Sequence, residues 1–136
     1  MIRQNLVADF EAGKIDNSTF SHVDHVYVIW ALIHVHGTLE AIRRFELSLK
    51  RITAESGHPE KYNATITYAL AFLVAERIAA HPPLDWDEFT AENGDLLMWP
   101  SPAITQLYPG QTLHSPHARR SFVLPTSALA PPGANN

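Results

Sequence analysis

Residues 21–37 read Ser-His-Val-Asp-His-Val-Tyr-Val-Ile-Trp-Ala-Leu-Ile-His-Val-His-Gly, and the fold turns on whether this run is a strand or a helix. The β-branched residues Val26, Val28 and Ile29 suit a strand locally. Yet His22 to His36 is fifteen residues without a turn signal, long for a strand. Ser21 has the chemistry of an N-cap, and Asp24, three positions on, makes an approximate capping box. Gly37 supplies a C-terminal stop. The run is apolar on nearly all sides, which predicts a buried helix at the centre of the domain.

On its N-terminal side, residues 2–12 place Ile2, Leu6, Val7 and Phe10 at helical spacing, with Gly13 as a stop. A polar, turn-rich connection runs from Lys14 to Phe20. On its C-terminal side Thr38 reads as the next N-cap. Leu39, Ile42, Phe45, Leu49 and Ile52 then form the apolar stripe of an amphipathic helix closed by Gly57. His58-Pro59 is a connector. A third long helix is predicted from about Glu60 to Ala80, ended by Pro82-Pro83. Asp85 caps a short helix from Trp86 to Glu92, before a turn at Asn93-Gly94. Ser101-Pro102 opens another to about Tyr108, stopped by Pro109-Gly110, and Ser115-Pro116 opens a last one from His117 to Val123. No segment alternates like a hairpin strand. The expectation is an all-α, compact helical domain of three long helices and three or four short ones over residues 1–125, followed by a flexible tail over 126–136.

Composition narrows the function classes. The chain has 136 residues, enough for one sizeable core. Ten basic residues against fourteen acidic ones give a net charge of −4, which argues against nucleic acid as a partner. There is no cysteine, so disulfides, zinc–thiolate sites, iron–sulfur clusters and cysteine nucleophiles are excluded. The N-terminus lacks the apolar core of a signal peptide. The most apolar stretch, Val23 to Val35, is shorter than a bilayer span and contains Asp24, His25 and His34. These features predict a soluble, cytoplasmic protein with no membrane partner. Eight histidines are the main chemical resource left.

Residues three and four apart share a helix face, so His22, His25, Ile29, Leu32 and His36 form one stripe. His22 and His25 lie a turn apart at its start. Two such imidazoles can serve as general acid and base, or as ligands of a divalent metal such as iron or zinc when further ligands come from elsewhere. The spacing lacks the rest of an H-E-x-x-H pattern, and both residues can equally be satisfied core histidines. His34 falls on another face, and His58, His81 and His114 sit in connectors. Tyr62-Asn-Ala-Thr-Ile-Thr67 opens the third long helix, with Asn63 and Thr67 on one face and Tyr62 and Thr65 on the next. Thr hydroxyls bonding back to the preceding turn is the plain structural account of this segment. The functional account makes it a pocket wall facing His22 and His25. The helix between the two spans the molecule once, so both can begin at the same end. Near the C-terminus, Arg119 can clamp an anion through its guanidinium, or form a solvated face with Arg120.

Phe20-Ser-His-Val-Asp-His25, Tyr62-Asn-Ala-Thr-Ile-Thr67, Asn93-Gly-Asp-Leu96 and Ala118-Arg-Arg-Ser-Phe-Val-Leu-Pro125 together resemble a largely uncharacterised family of small bacterial all-helical proteins. Its patterns are F-x-H-x-x-H, Y-H-x-T-[IL]-T and A-R-x-x-F-x-x-P, and the resemblance covers most of residues 5–125. His22, His25, Tyr62, Thr65, Thr67, Arg119, Phe122 and Pro125 match; Asn63 stands where the pattern has histidine. The resemblance implies one polar constellation drawn from the helix starts and the C-terminal segment, altered here at Asn63. It names no reaction.

The resulting expectation is a small enzyme acting on a small polar or anionic metabolite, by acid/base or metal-assisted chemistry of lyase or isomerase type. His22, His25, Tyr62 and Asn63 are the expected catalytic residues, Thr67 and Arg119 the substrate-binding ones, and His22 and His25 the metal ligands. The alternative is a non-catalytic ligand-binding or dimerising helical module; a homodimer fits either.

Overall fold

The computed structural model describes residues 3–81 and 85–125. The expected stop at Pro82-Pro83, the contribution of Ile2 and the tail over 126–136 lie outside the described residues. The described chain is all helical, with no strand. Its helices are α1 (Arg3–Ala12), α2 (His22–His36), α3 (Thr38–Glu55), α4 (Ala64–Ala80), α5 (Trp86–Glu92), α6 (Gly94–Leu97), α7 (Pro102–Thr105), α8 (Gly110–Leu113) and α9 (Pro116–Arg120), with a 3-10 turn at Pro59–Lys61. Three are long, and six shorter ones replace the expected three or four.

Helix α2 packs against both α3 and α4, and α1 lies across α2 and α3. Its capping box is formed: Asp24 N–H donates to Ser21 Oγ at 3.2 Å, and Ser21 N–H to Asp24 Oδ2 at 3.0 Å. Val26, Val28, Ile29, Leu32 and Ile33 are buried, as a central helix requires. Gly37 ends α2 at φ 81°, a left-handed value that suits glycine, and its N–H donates to Ile33 O at 2.8 Å. The same residue stands at the N-cap position of α3, so Thr38 is the first helical residue rather than the cap. The buried face of α3 is Ala41, Ile42, Phe45, Ser48 and Ile52. Leu39 falls off it, 75% exposed at the corner between the two helices.

The third long helix starts later than the propensity of Glu60 and Lys61 implies. After the 3-10 turn, Tyr62 and Asn63 are extended, with ψ of 137° and 109°. Asn63 is the N-cap, its Oδ1 accepting from Ile66 N–H at 2.9 Å. A side-chain acceptor in competition with the helical ladder is what starts α4 at Ala64. The C-terminal third differs most from expectation. The Asn93-Gly94 turn continues into α6, the Pro109-Gly110 stop opens α8, and the helix after Ser101 ends at Thr105 instead of Tyr108. α9 ends at Arg120, not Val123, because tertiary bonds hold the chain beyond Arg120 out of the helix. Thr65 Oγ1 donates to Ser121 O (2.9 Å) and accepts from Val123 N–H (3.1 Å), while Tyr108 Oη donates to Val123 O at 2.7 Å. Arg77 fastens α4 to α6 by a bidentate pair with Asp95 at 2.8–2.9 Å and a bond to Asn93 Oδ1 at 2.8 Å.

Candidate functional site

Helices α2 and α4 begin at the same end of the molecule, with α3 between them as the return. At that end lies a cavity of about 360 Å³. α2 contributes His22 and His25. α3 contributes Phe45, Leu49 and Thr53, which recur every four residues and so share one face. The connector supplies Lys61, Tyr62 and Asn63; α4 supplies Ile66, Thr67 and Leu70; Trp99 completes the wall. The structure thus brings His22, His25, Tyr62, Asn63 and Thr67 to one cavity. Arg119 is not among its lining residues and is exposed on α9. Thr65, on the adjacent face of α4, is buried under the C-terminal segment.

Each polar side chain is held by a bond that its position dictates. His22 Nε2 lies 2.8 Å from Leu96 O, and its ring packs on Trp99 at 4.9 Å between centroids. His25 Nδ1 lies 2.9 Å from Ser21 O, and its ring sits 4.5 Å from the Phe20 ring, with Phe45 edge-on at 6.5 Å. A carbonyl oxygen only accepts, so each of these nitrogens carries the proton. Neutral His22 is therefore the Nε2–H tautomer with an Nδ1 lone pair, and neutral His25 the reverse. Both imidazoles are pushed below the ordinary histidine range, chiefly by burial, which penalises the cation. For His25 the neighbouring His22 adds to the effect, whereas the Ser21 carbonyl and Asp24 oppose it.

Asn63 Nδ2 donates to Leu113 O at 2.8 Å, so its amide joins the start of α4 to α8 as well as capping it. Thr67 Oγ1 donates back to Asn63 O at 2.8 Å. Tyr62 Oη lies 3.5 Å from Glu46 Oε2, a long approach, with the Thr67 hydroxyl also beside it. Burial, reinforced by the charge of Glu46, raises the Tyr62 phenol well above its usual range, so it keeps its proton. Glu46 also accepts from Tyr68 Oη at 2.8 Å and pairs with Lys50 at 3.3 Å.

Phe45, Thr53, Lys61 and Trp99 were not among the expected site residues. The spacing of Phe45, Leu49 and Thr53 along α3 carried a signal for that wall; nothing periodic marked Trp99. Among the described residues no three His, Asp or Glu side chains come together as an ion site. No helix among the described residues is long and apolar enough to cross a membrane. No protein-family model, curated protein or solved structure matches the chain.

Proposed function

We propose that this cavity is a small-molecule site in which His25, assisted by His22, accepts a proton from the bound molecule. The observation that carries the reading is the pair of tautomers fixed by backbone carbonyls inside a cavity of ligand size. A neutral imidazole with one nitrogen anchored and the other bearing a lone pair is the form a general base takes. Depressed basicity keeps both rings in that form at neutral pH. Among the described residues no Asp, Glu or further His side chain joins the pair into a three-ligand group, and proton transfer needs no such third group.

A second reading, a binding module without turnover, is favoured by Asn63, whose amide holds α4 to α8 rather than standing free for chemistry. One experiment addresses both. Thermal shifts of the wild type and His25→Gln are measured against a library of small amines, alcohols and carboxylates, and each bound compound is followed by proton NMR for conversion. A compound that stabilises the wild type and is converted only by it supports the acid/base reading. Binding without conversion supports the module. No stabilising compound, or equal shifts and equal conversion in both proteins, rejects the site.

A further inference from the structure

The polar side chains of the cavity have their protons directed into the protein. His22 Nε2–H points to Leu96 O (2.8 Å) and His25 Nδ1–H to Ser21 O (2.9 Å). Thr53 Oγ1 donates to Leu49 O at 3.1 Å and Thr67 Oγ1 to Asn63 O at 2.8 Å. Tyr62 Oη donates only over the long 3.5 Å approach to the Glu46 carboxylate. Carbonyls and carboxylates cannot donate, so the direction of the first four bonds is not a matter of choice. What the two imidazoles and two threonines have left is lone pairs, while the Tyr62 hydroxyl is only loosely engaged. Asn63 retains one amide N–H beyond its two bonds, and the other side-chain donors in the lining, Lys61 and Trp99, belong to exposed residues.

We propose that the ligand of this cavity is a hydrogen-bond donor, a primary amine on an apolar or aromatic body, rather than a carboxylate or phosphate. The inference rests on the cavity being a small-molecule site. An ammonium carries three N–H groups and no lone pair, the complement of a wall built from imidazole nitrogens and hydroxyl oxygens. Phe45, Leu49, Leu70 and Trp99 give the rest of the molecule an apolar seat. An anion would meet lone pairs on the same wall and find donors only at the exposed Lys61 and Trp99, the loosely engaged Tyr62 hydroxyl and the one remaining Asn63 N–H. To gain a donor from an imidazole it would have to protonate one that burial keeps neutral. Arg119, the expected anion clamp, is exposed and outside the lining.

The test uses the full chain with labelled histidines at pH 7.5, titrated by NMR with benzylamine and with benzoate, which share a ring and differ in the polar group. The expected result is that benzylamine moves the His22 and His25 ring signals and binds at least about tenfold more tightly than benzoate, the discrimination one unpaired buried polar group imposes. A smaller preference, or tighter binding of benzoate, overturns the donor assignment and leaves the cavity standing as a site. Perturbation by neither compound overturns both. Thr67→Val, which keeps the shape and removes one acceptor, is expected to weaken benzylamine at least about threefold; unchanged affinity counts against the proposal.

Discussion

Replacing Asn63 tests how the site is built, because this side chain joins three elements at once. Its Oδ1 caps α4 through Ile66 N–H at 2.9 Å, and its Nδ2 satisfies Leu113 O at 2.8 Å. Asn63→Ala removes both. Loss of a cap costs about 1 kcal/mol. Leaving the carbonyl of Leu113, a residue only 3% exposed, without its donor costs a further 1–2 kcal/mol or so. The expected total is about 2–3 kcal/mol, and for a chain of 136 residues a fall in Tm of roughly 10 °C. Asn63→Asp separates the two terms. It retains the cap, and the carboxylate suits the positive end of α4, but it sets negative charge against Leu113 O. Asn63→Ser retains the cap alone and is expected to lose about half of what alanine loses. Urea unfolding of the three variants, with m unchanged from the wild type, is the measurement. A loss below about 0.5 kcal/mol for Asn63→Ala, or equal losses for Ala and Ser, would refute the two-bond account.

The same geometry sets further expectations. His22 and His25 titrate below 6.5 in the fold and near 6.5 once unfolded. Below that value the unfolded chain takes up protons that the folded chain refuses, so their contribution is complete above about pH 6.5 and falls as pH drops toward the folded values. His25→Gln is expected to flatten this slope in urea midpoints measured from pH 7.5 to 5; an unchanged slope contradicts it. Thr65→Val strips partners from the Val123 N–H and the Ser121 carbonyl. It is expected to cost about 2–3 kcal/mol and to speed amide exchange at Val123; a loss under about 0.5 kcal/mol contradicts the anchor. Tyr62→Phe leaves only the long 3.5 Å approach to Glu46 unmade, so stability is expected to change by less than about 1 kcal/mol while benzylamine affinity falls. Calorimetry on the variant checks both.

The features legible in sequence are those whose physics is local. Ser21 and Asp24 form their box within four residues, Asp85 caps α5 through its own next turn, and Gly37 needs only its own φ. The placement of His22 and His25 beside Tyr62, Asn63 and Thr67 comes from chain topology, because two helices separated by a third start at one end. Asn63 itself reads as a helical residue because Glu60 and Lys61 extend the pattern, and its capping bond appears only once the backbone before it is extended. The end of α9 depends on Thr65, fifty-six residues away from Ser121, and no local signal reports such a bond. Arg119 shows the limit of motif reading. Lying in a motif with other polar residues says nothing about which side of the helix α9 turns to the core.

Backbone carbonyls fix the two imidazoles as neutral, opposite tautomers. Long-range proton–nitrogen correlation NMR of the histidine rings at pH 7 tests it directly. His22 is expected to be protonated at Nε2 alone and His25 at Nδ1 alone. The reverse tautomer at either ring, or an imidazolium at either, would contradict it.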